Sequence, residues 1–206
     1  MPKLAFRRPW AAGFVCLLVV GLAGLPRSAA AQAQGPEAFI SRLGNEGLRA
    51  LGPSVPPNVR TTRFRQLFQS DFDVPEIARF VLGPYRRGLT PQQQQQFDAV
   101  FREYIAHSYA RKLANYAGDQ FQVIGARPWG GGTLVYSQVG GRSGKPIELD
   151  WQVVNRGGRY QVTDVLVDHV SMKLSERNEI AGIIQRNGGR PDAAIAALRQ
   201  ELGYGS

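Results

Sequence analysis

The chain has one cysteine and two histidines in 206 residues, and its four lysines are far outnumbered by 21 arginines. A single cysteine excludes an intrachain disulfide and a cysteine-ligated metal site. His107 and His169 alone do not make a histidine-rich zinc centre. The longest uncharged apolar run, Ala11 to Leu25, is shorter than the roughly 20 residues that span a bilayer as a helix. Also missing are a Walker A loop, a dinucleotide fingerprint, a nucleophile elbow, an HExxH helix and a Cys–His pair, so no common catalytic signature is available. The 24 glycines and 13 prolines follow no period, which excludes collagen and coiled coil, and 43% apolar residues is too many for a disordered chain.

What is present begins with an export signal in three parts. Lys3, Arg7 and Arg8 form a basic start, Ala11–Leu25 the apolar stretch, and Ala29-Ala30-Ala31 the small residues that signal peptidase reads. Ala31-Gln32-Ala33 is a second choice. Pro9 follows Arg7-Arg8 directly, without the rest of a twin-arginine motif, and Gly13 stands where a lipobox before Cys16 would need Leu. The expected division is a signal peptide over 1–31 and a single domain over 32–206. Cleavage there removes four basic residues and the cysteine, lowering the formal charge from +9 to about +5 and leaving an ordinary apolar core as the source of stability.

The first half of the mature chain has helical periodicity. Phe39, Ile40, Leu43, Gly47, Leu48 and Leu51 mark a first helix that stops at Gly52-Pro53. After a connector over 54–58, a second helix is expected from about Thr61 to Phe72. Asp73-Val74-Pro75-Glu76 has the form of a cap opening a short helix through Ile77, Phe80 and Val81, ended by Gly83-Pro84. Thr90-Pro91-Gln92-Gln93 joins a hydroxyl cap, a proline at the first helical position and an amide three residues on. The helix it starts carries Phe97, Val100, Phe101, Tyr104, Ile105, Tyr109, Leu113 and Tyr116. Beyond Gly118 the period becomes two, and 121–126, 133–139, 147–155 and 160–170 read as four strands. Their connections hold Pro128-Trp129 with Gly130 to Gly132, then Gly140 to Gly144, then Arg156-Gly157-Gly158. Connections this short make the strands an antiparallel meander. Ile147, Leu149, Trp151 and Val153 share one face of the third strand, so that face needs a cover, which the early helices can supply. Two closing helices follow, Ser175 to Asn187 and Pro191 to Leu202.

Candidate chemistry is sparse. Asp164, Asp168 and His169 gather at the end of the fourth strand, but neighbours on a regular strand point to opposite faces, so an acid/base role needs a bulge there. The arginines are scattered without the basic stripe and surface aromatics of a nucleic-acid reader. Arg63/Arg65 and Arg86/Arg87 suit lipid phosphate or an acidic partner as well as they suit solvated helix faces.

Several residues together resemble one family. They are Phe72-Asp73 through Ile77, then Val81-Leu82-Gly83, Tyr85, Arg87 and Thr90-Pro91, with Tyr109, Leu113 and Tyr116 further on. The later stretch is Asp150-Trp151-Gln152-Val153, followed by Tyr160 through Val165 and by Val167 and Val170-Ser171. In order and over nearly the whole mature chain, these resemble the MlaC (toluene-tolerance, Ttg2-type) family of periplasmic phospholipid-binding proteins, which has a hopanoid-associated branch. Two residues depart from its usual pattern, Arg86 where Trp is common and His169 where Gly is usual. The resemblance implies an α+β fold, a twisted antiparallel β-sheet against a helical layer as in nuclear-transport-factor-like folds. Between the layers it implies an apolar pocket for acyl chains. It also implies a monomeric periplasmic shuttle between an inner-membrane ABC transporter complex and an outer-membrane lipoprotein complex, with phospholipid as cargo and with no cofactor, metal or catalytic residue. On this basis the pocket is expected to be lined by Phe80, Leu82, Phe101, Tyr104, Ile105, Leu149, Trp151, Val153 and Val165. The apolar stripes fit a filled core as well as a cavity. A hopanoid carrier, and an acid/base enzyme using Asp164, Asp168 or His169 on the same fold, are the alternatives.

Overall fold

The computed structural model describes residues 35–52, 54–112, 120–140 and 145–204. The expected signal segment and its cleavage site, Pro53, Leu113, Tyr116 and the glycines at 141 and 144 lie outside the described residues.

Proline opens the first two helices, where its missing N–H costs no bond and its fixed φ suits the first turn. α1 (Pro36–Ala50) buries Phe39, Ile40, Leu43 and Gly44. α2 (Pro57–Asp71) starts four residues earlier than Thr61, because Pro57 is the first helical residue rather than part of a connector. It is thinly anchored, burying only Phe68 and Asp71; Asp71 is held by the Arg42 guanidinium of α1 at 2.6 Å. The chain then touches the sheet. Phe72 bridges to Val162 in parallel fashion, and the Asp73 amide donates to the Val162 carbonyl at 2.9 Å.

Asp73 also caps α3 (Val74–Leu82), its Oδ1 accepting from the Glu76 amide at 3.2 Å. Gly83, at φ +51°, ends that helix in a conformation that favours glycine. A 3-10 turn over Gly83–Gly88 follows, without apolar periodicity to announce it. The Thr90 cap forms reciprocally: Thr90 Oγ1 accepts from the Gln93 amide at 3.2 Å, and Gln93 Oε1 accepts from the Thr90 amide at 2.8 Å. It starts α4 (Pro91–Lys112).

Five strands run in the order β1-β2-β3-β4-β5, each antiparallel to the next. They are β1 (Phe121–Trp129), β2 (Gly132–Val139), β3 (Ile147–Arg156), β4 (Arg159–Val167) and β5 (Val170–Ser171). Two boundaries differ from expectation. β1 runs on to Trp129, with Pro128 opposite Thr133; it is an edge strand, where a residue without an N–H is tolerated. The fourth strand stops at Val167 rather than Val170, because Asp168 (φ 45°) and His169 (φ 67°) form a left-handed two-residue turn of the kind that suits a tight hairpin. Ser171 then caps α5 (Met172–Arg186), accepting from the Leu174 amide at 3.0 Å, so this helix begins before the expected Ser175. α6 (Asp192–Glu201) closes the described chain.

The α+β architecture is thus the one the pattern implied, a helical layer on an antiparallel meander. Its apolar residues fall into two clusters. One is formed mainly by helices, with Phe97 and Phe101 stacked at 5.5 Å among Leu82, Ile180, Ile184 and Leu198. In the other, Phe39, Ile40 and Leu43 of α1 cover Val135, Trp151, Val153 and Val162 of the sheet. Space remains between them.

Candidate functional site

That space is a cavity of about 220 Å³. Its walls are Leu43, Gly44, Gly47 and Leu48 of α1 with Leu51 just beyond its end, Phe64, Leu67 and Phe68 of α2, and Phe101, Ile105 and Tyr109 of α4. The sheet contributes Phe121, Val139, Ile147, Leu149, Trp151, Val165 and Val167, and α5 contributes Met172, Lys173 and Glu176. The hollow is partly open to solvent rather than sealed, and its walls leave apolar surface that a core packed for stability alone would cover.

Five of the nine expected pocket residues lie on the cavity wall: Phe101, Ile105, Leu149, Trp151 and Val165. On α4, Phe101, Ile105 and Tyr109 are four apart and sweep an arc of about 80°, which is the wall. Trp151 donates its indole Nε1–H to Ser137 Oγ at 2.8 Å, and Phe121 packs on it edge-on at 6.1 Å. With its polar atom satisfied, the ring presents hydrocarbon to the cavity.

The other four lie elsewhere, each for a geometric reason. Tyr104 points about 60° away from Phe101 on the helix, so its hydroxyl faces α5 and meets Glu179 Oε1 at 3.4 Å. Leu82 is fully buried in the helical core, turned about 140° from Ile77, the α3 residue on the wall. Phe80 lies beneath the Lys173 ammonium, 4.6 Å from the ring centroid, and the Arg177 guanidinium, at 5.0 Å. Val153 is two residues beyond Trp151, about 7 Å further along the strand, where α1 fills the space.

The walls from α1 and α2 went unforeseen. A stripe at 43, 47, 48 and 51 was visible and marked the helix, without showing that Gly47 faces room. A Cβ on Gly44 would come within 2.4 Å of the Phe121 ring, whereas one on Gly47 would meet nothing within 4 Å.

Two carboxylates, Asp164 and Glu176, stand on the wall. Asp164, only 4% exposed, accepts from the Val165 amide at 2.9 Å, the Lys173 amide at 3.0 Å and Ser171 Oγ at 2.6 Å. It ties β4 to the start of α5. Asp168 and His169 stand apart in the exposed hairpin, where Asp168 Oδ1 accepts from the Glu148 amide at 3.3 Å. His169 lies 3.2 Å from Glu148 and 3.4 Å from Asp150. The three residues therefore share no site, and the bulge that would have aligned them is a turn instead. Glu176, 5% exposed, accepts from the Tyr109 hydroxyl at 3.0 Å. Burial pushes the Glu176 carboxyl above its ordinary range, with Glu179 adding to the effect; the Tyr109 bond and Lys112 act the other way. Burial likewise raises Tyr109 and Tyr104. Among the described residues no His/Cys/Asp/Glu group could hold a metal ion, and no helix is long and apolar enough to cross a membrane.

A helical layer and a meander holding an apolar hollow between them define a protein built around a cavity. The family model described as "MlaC protein" matches residues 52–200, and the chain belongs to the MlaC family. It is 28% identical over 119 residues to the "Toluene tolerance protein ttg2D" of Pseudomonas putida, over 57% of this chain and 55% of that one. To the "Intermembrane phospholipid transport system binding protein MlaC" of Haemophilus influenzae it is 27% identical over 125 residues, or 58% of each chain. The matches thus span little more than half the length of these curated relatives. Among solved structures, a phospholipid-binding protein from Ralstonia solanacearum, determined with a phospholipid, superposes with a TM-score of 0.68 at 20% identity. The match covers 82% of this chain and 99% of that one. At that identity the likeness speaks for the fold.

Proposed function

We propose that this protein is a carrier that hides phospholipid acyl chains in the apolar cleft and moves lipid across the periplasm. In this reading residues 1–31 are the export signal, and the donor and acceptor are an inner-membrane ABC transporter complex and an outer-membrane lipoprotein complex. The observation that carries it is a cavity of about 220 Å³ with almost entirely hydrocarbon walls, left unfilled at a cost in stability. Family membership and the printed functions of the relatives support the same reading.

Hydrocarbon burial is worth about 0.8 kcal/mol per CH₂, so two sixteen-carbon chains represent roughly 20–25 kcal/mol of gross transfer free energy. Bare lipid does not cross water unaided against such a figure. Ligand pockets commonly enclose about 300–1,000 Å³, so the cleft must widen to take whole chains. α2 buries only Phe68 and Asp71, fewer residues than any other helix on the wall, and is the element whose displacement would expose least core. A charged headgroup is costly to bury without partners and stays at the mouth, giving loose headgroup selection. Carrying lipid requires no reaction, and the bonded Asp164 and dispersed Asp168 and His169 offer no acid/base pair for one.

Vesicles holding labelled phospholipid test the proposal. The purified protein should remove label into the soluble fraction and pass it to acceptor vesicles, and Trp151→Arg, which puts a charge on the wall, should reduce this at least tenfold. Equal transfer by a folded Trp151→Arg variant would remove the cleft from the mechanism.

A further inference from the structure

We propose that Glu176 is a polar subsite inside the cleft that donates its carboxyl proton to the ester carbonyl oxygen of a diacyl lipid. The inference rests on the carrier reading and adds a preference for ester-linked over ether-linked chains.

Glu176 is 5% exposed and stands on the cavity wall. Its Oε1 accepts from the Tyr109 hydroxyl at 3.0 Å, while Oε2, itself shut off from solvent, has no hydrogen-bond partner among the described residues. The nearby cations are engaged elsewhere: the Lys112 ammonium lies over the Tyr109 ring at 5.0 Å and that of Lys173 over the Phe80 ring at 4.6 Å. The remaining ionisable neighbours, Glu179 and Tyr104, supply no positive charge, and the Asp164 carboxyl is taken up by its own donors. Oε2 is thus left unmatched by protein and by solvent alike, which is expensive for a carboxylate and less so for a neutral acid. Burial already favours the neutral acid. In that form Oε1 is the carbonyl that takes the Tyr109 proton bond, and Oε2–H is a donor without a partner among the described residues, on a side chain that lines the cavity. Acyl chains carry no acceptor along their length; the first one met is the ester carbonyl where each chain begins. A dialkyl ether lipid of the same length and headgroup lacks that oxygen.

The test is competition between a diester phosphatidylglycerol and its diether analogue, both with sixteen-carbon chains, mixed equally in vesicles and read as bound masses by native mass spectrometry. The wild-type protein should take up the diester with about fivefold preference, the size of one net hydrogen bond. Glu176→Gln, whose amide N–H replaces the acid proton, should keep the preference, and Glu176→Leu should take up the two lipids alike. Equal uptake of both by the wild-type protein overturns the subsite while leaving the carrier intact. An undiminished preference in Glu176→Leu overturns it as well, and failure to bind either lipid overturns both.

Discussion

Replacing Gly47 with leucine separates what the cleft does for function from what it costs the fold. Gly47 is on the cavity wall within α1, and a side chain there would meet no atom within 4 Å. Leucine recovers about 0.8 kcal/mol of helix propensity over glycine. Burying about half of its side chain against the existing walls adds roughly 1 kcal/mol more. For a domain of this size, about 2 kcal/mol raises the melting temperature by roughly 4–8 °C. Measurement on lipid-free protein is essential, because bound lipid itself stabilises. The same substitution occupies space: four carbon groups of about water size take on the order of 100 Å³, nearly half the cavity. Excluding about three methylenes of cargo forfeits roughly 2.4 kcal/mol, or on the order of fiftyfold in affinity. Thermal unfolding and vesicle partitioning of the one variant read both effects. A more stable protein that binds lipid as before would refute the placement of the cargo. A destabilised one would refute the claim that Gly47 faces room.

Other substitutions probe the cleft's supports. Asp164→Ala leaves three donors at the β4–α5 junction without their acceptor, and chemical denaturation should show a loss of about 2–4 kcal/mol; a loss below about 1 kcal/mol would contradict the structural role. Glu176 holds its proton longer when folded than when unfolded, so the folded chain binds more protons above the ordinary carboxylate pKa. Its contribution to stability is present below that value and is lost as pH rises through the raised folded value. Denaturation midpoints across that range should therefore fall more for the wild-type protein than for Glu176→Gln, and parallel profiles would show that Glu176 titrates normally. His169→Ala should leave lipid transfer within about twofold of wild type, since its imidazole pairs with Glu148 and Asp150 at the exposed hairpin; a tenfold loss would reopen a role for that turn.

Local chemistry was the most readable part of the sequence. The reciprocal cap at Thr90, the Asp73 cap, the glycine stop at Gly83 and the alternation through Leu149, Trp151 and Val153 each depend on near neighbours, and each is found in the fold. The position of the cleft depends on which elements meet across the molecule. The α4 stripe is wide enough to face two partners. Only its Phe101–Ile105–Tyr109 edge borders the cavity, while Phe97 and Tyr104 serve the helical core. Leu82 and Val153 are as apolar as any wall residue and sit where neighbouring helices close over them. Gly47 was legible as part of the α1 stripe but not as a wall of the cleft, and Gly44 went unread, because the absence of a side chain carries no positive signal. Glu176 was passed over because a charged residue early in a helix ordinarily faces water. The Asp168-His169 turn was hidden by side chains that seldom adopt positive φ, although glycine is usual at the second position in the family the chain resembles.

The most direct test of the carrier is the mass of the protein purified from its own producing cells without delipidation, measured under native conditions and again after denaturation. The account predicts added mass matching diacyl phospholipid that is released on denaturation and is reduced in Gly47→Leu. A single unliganded mass, with no phospholipid taken up after incubation with vesicles, would contradict it.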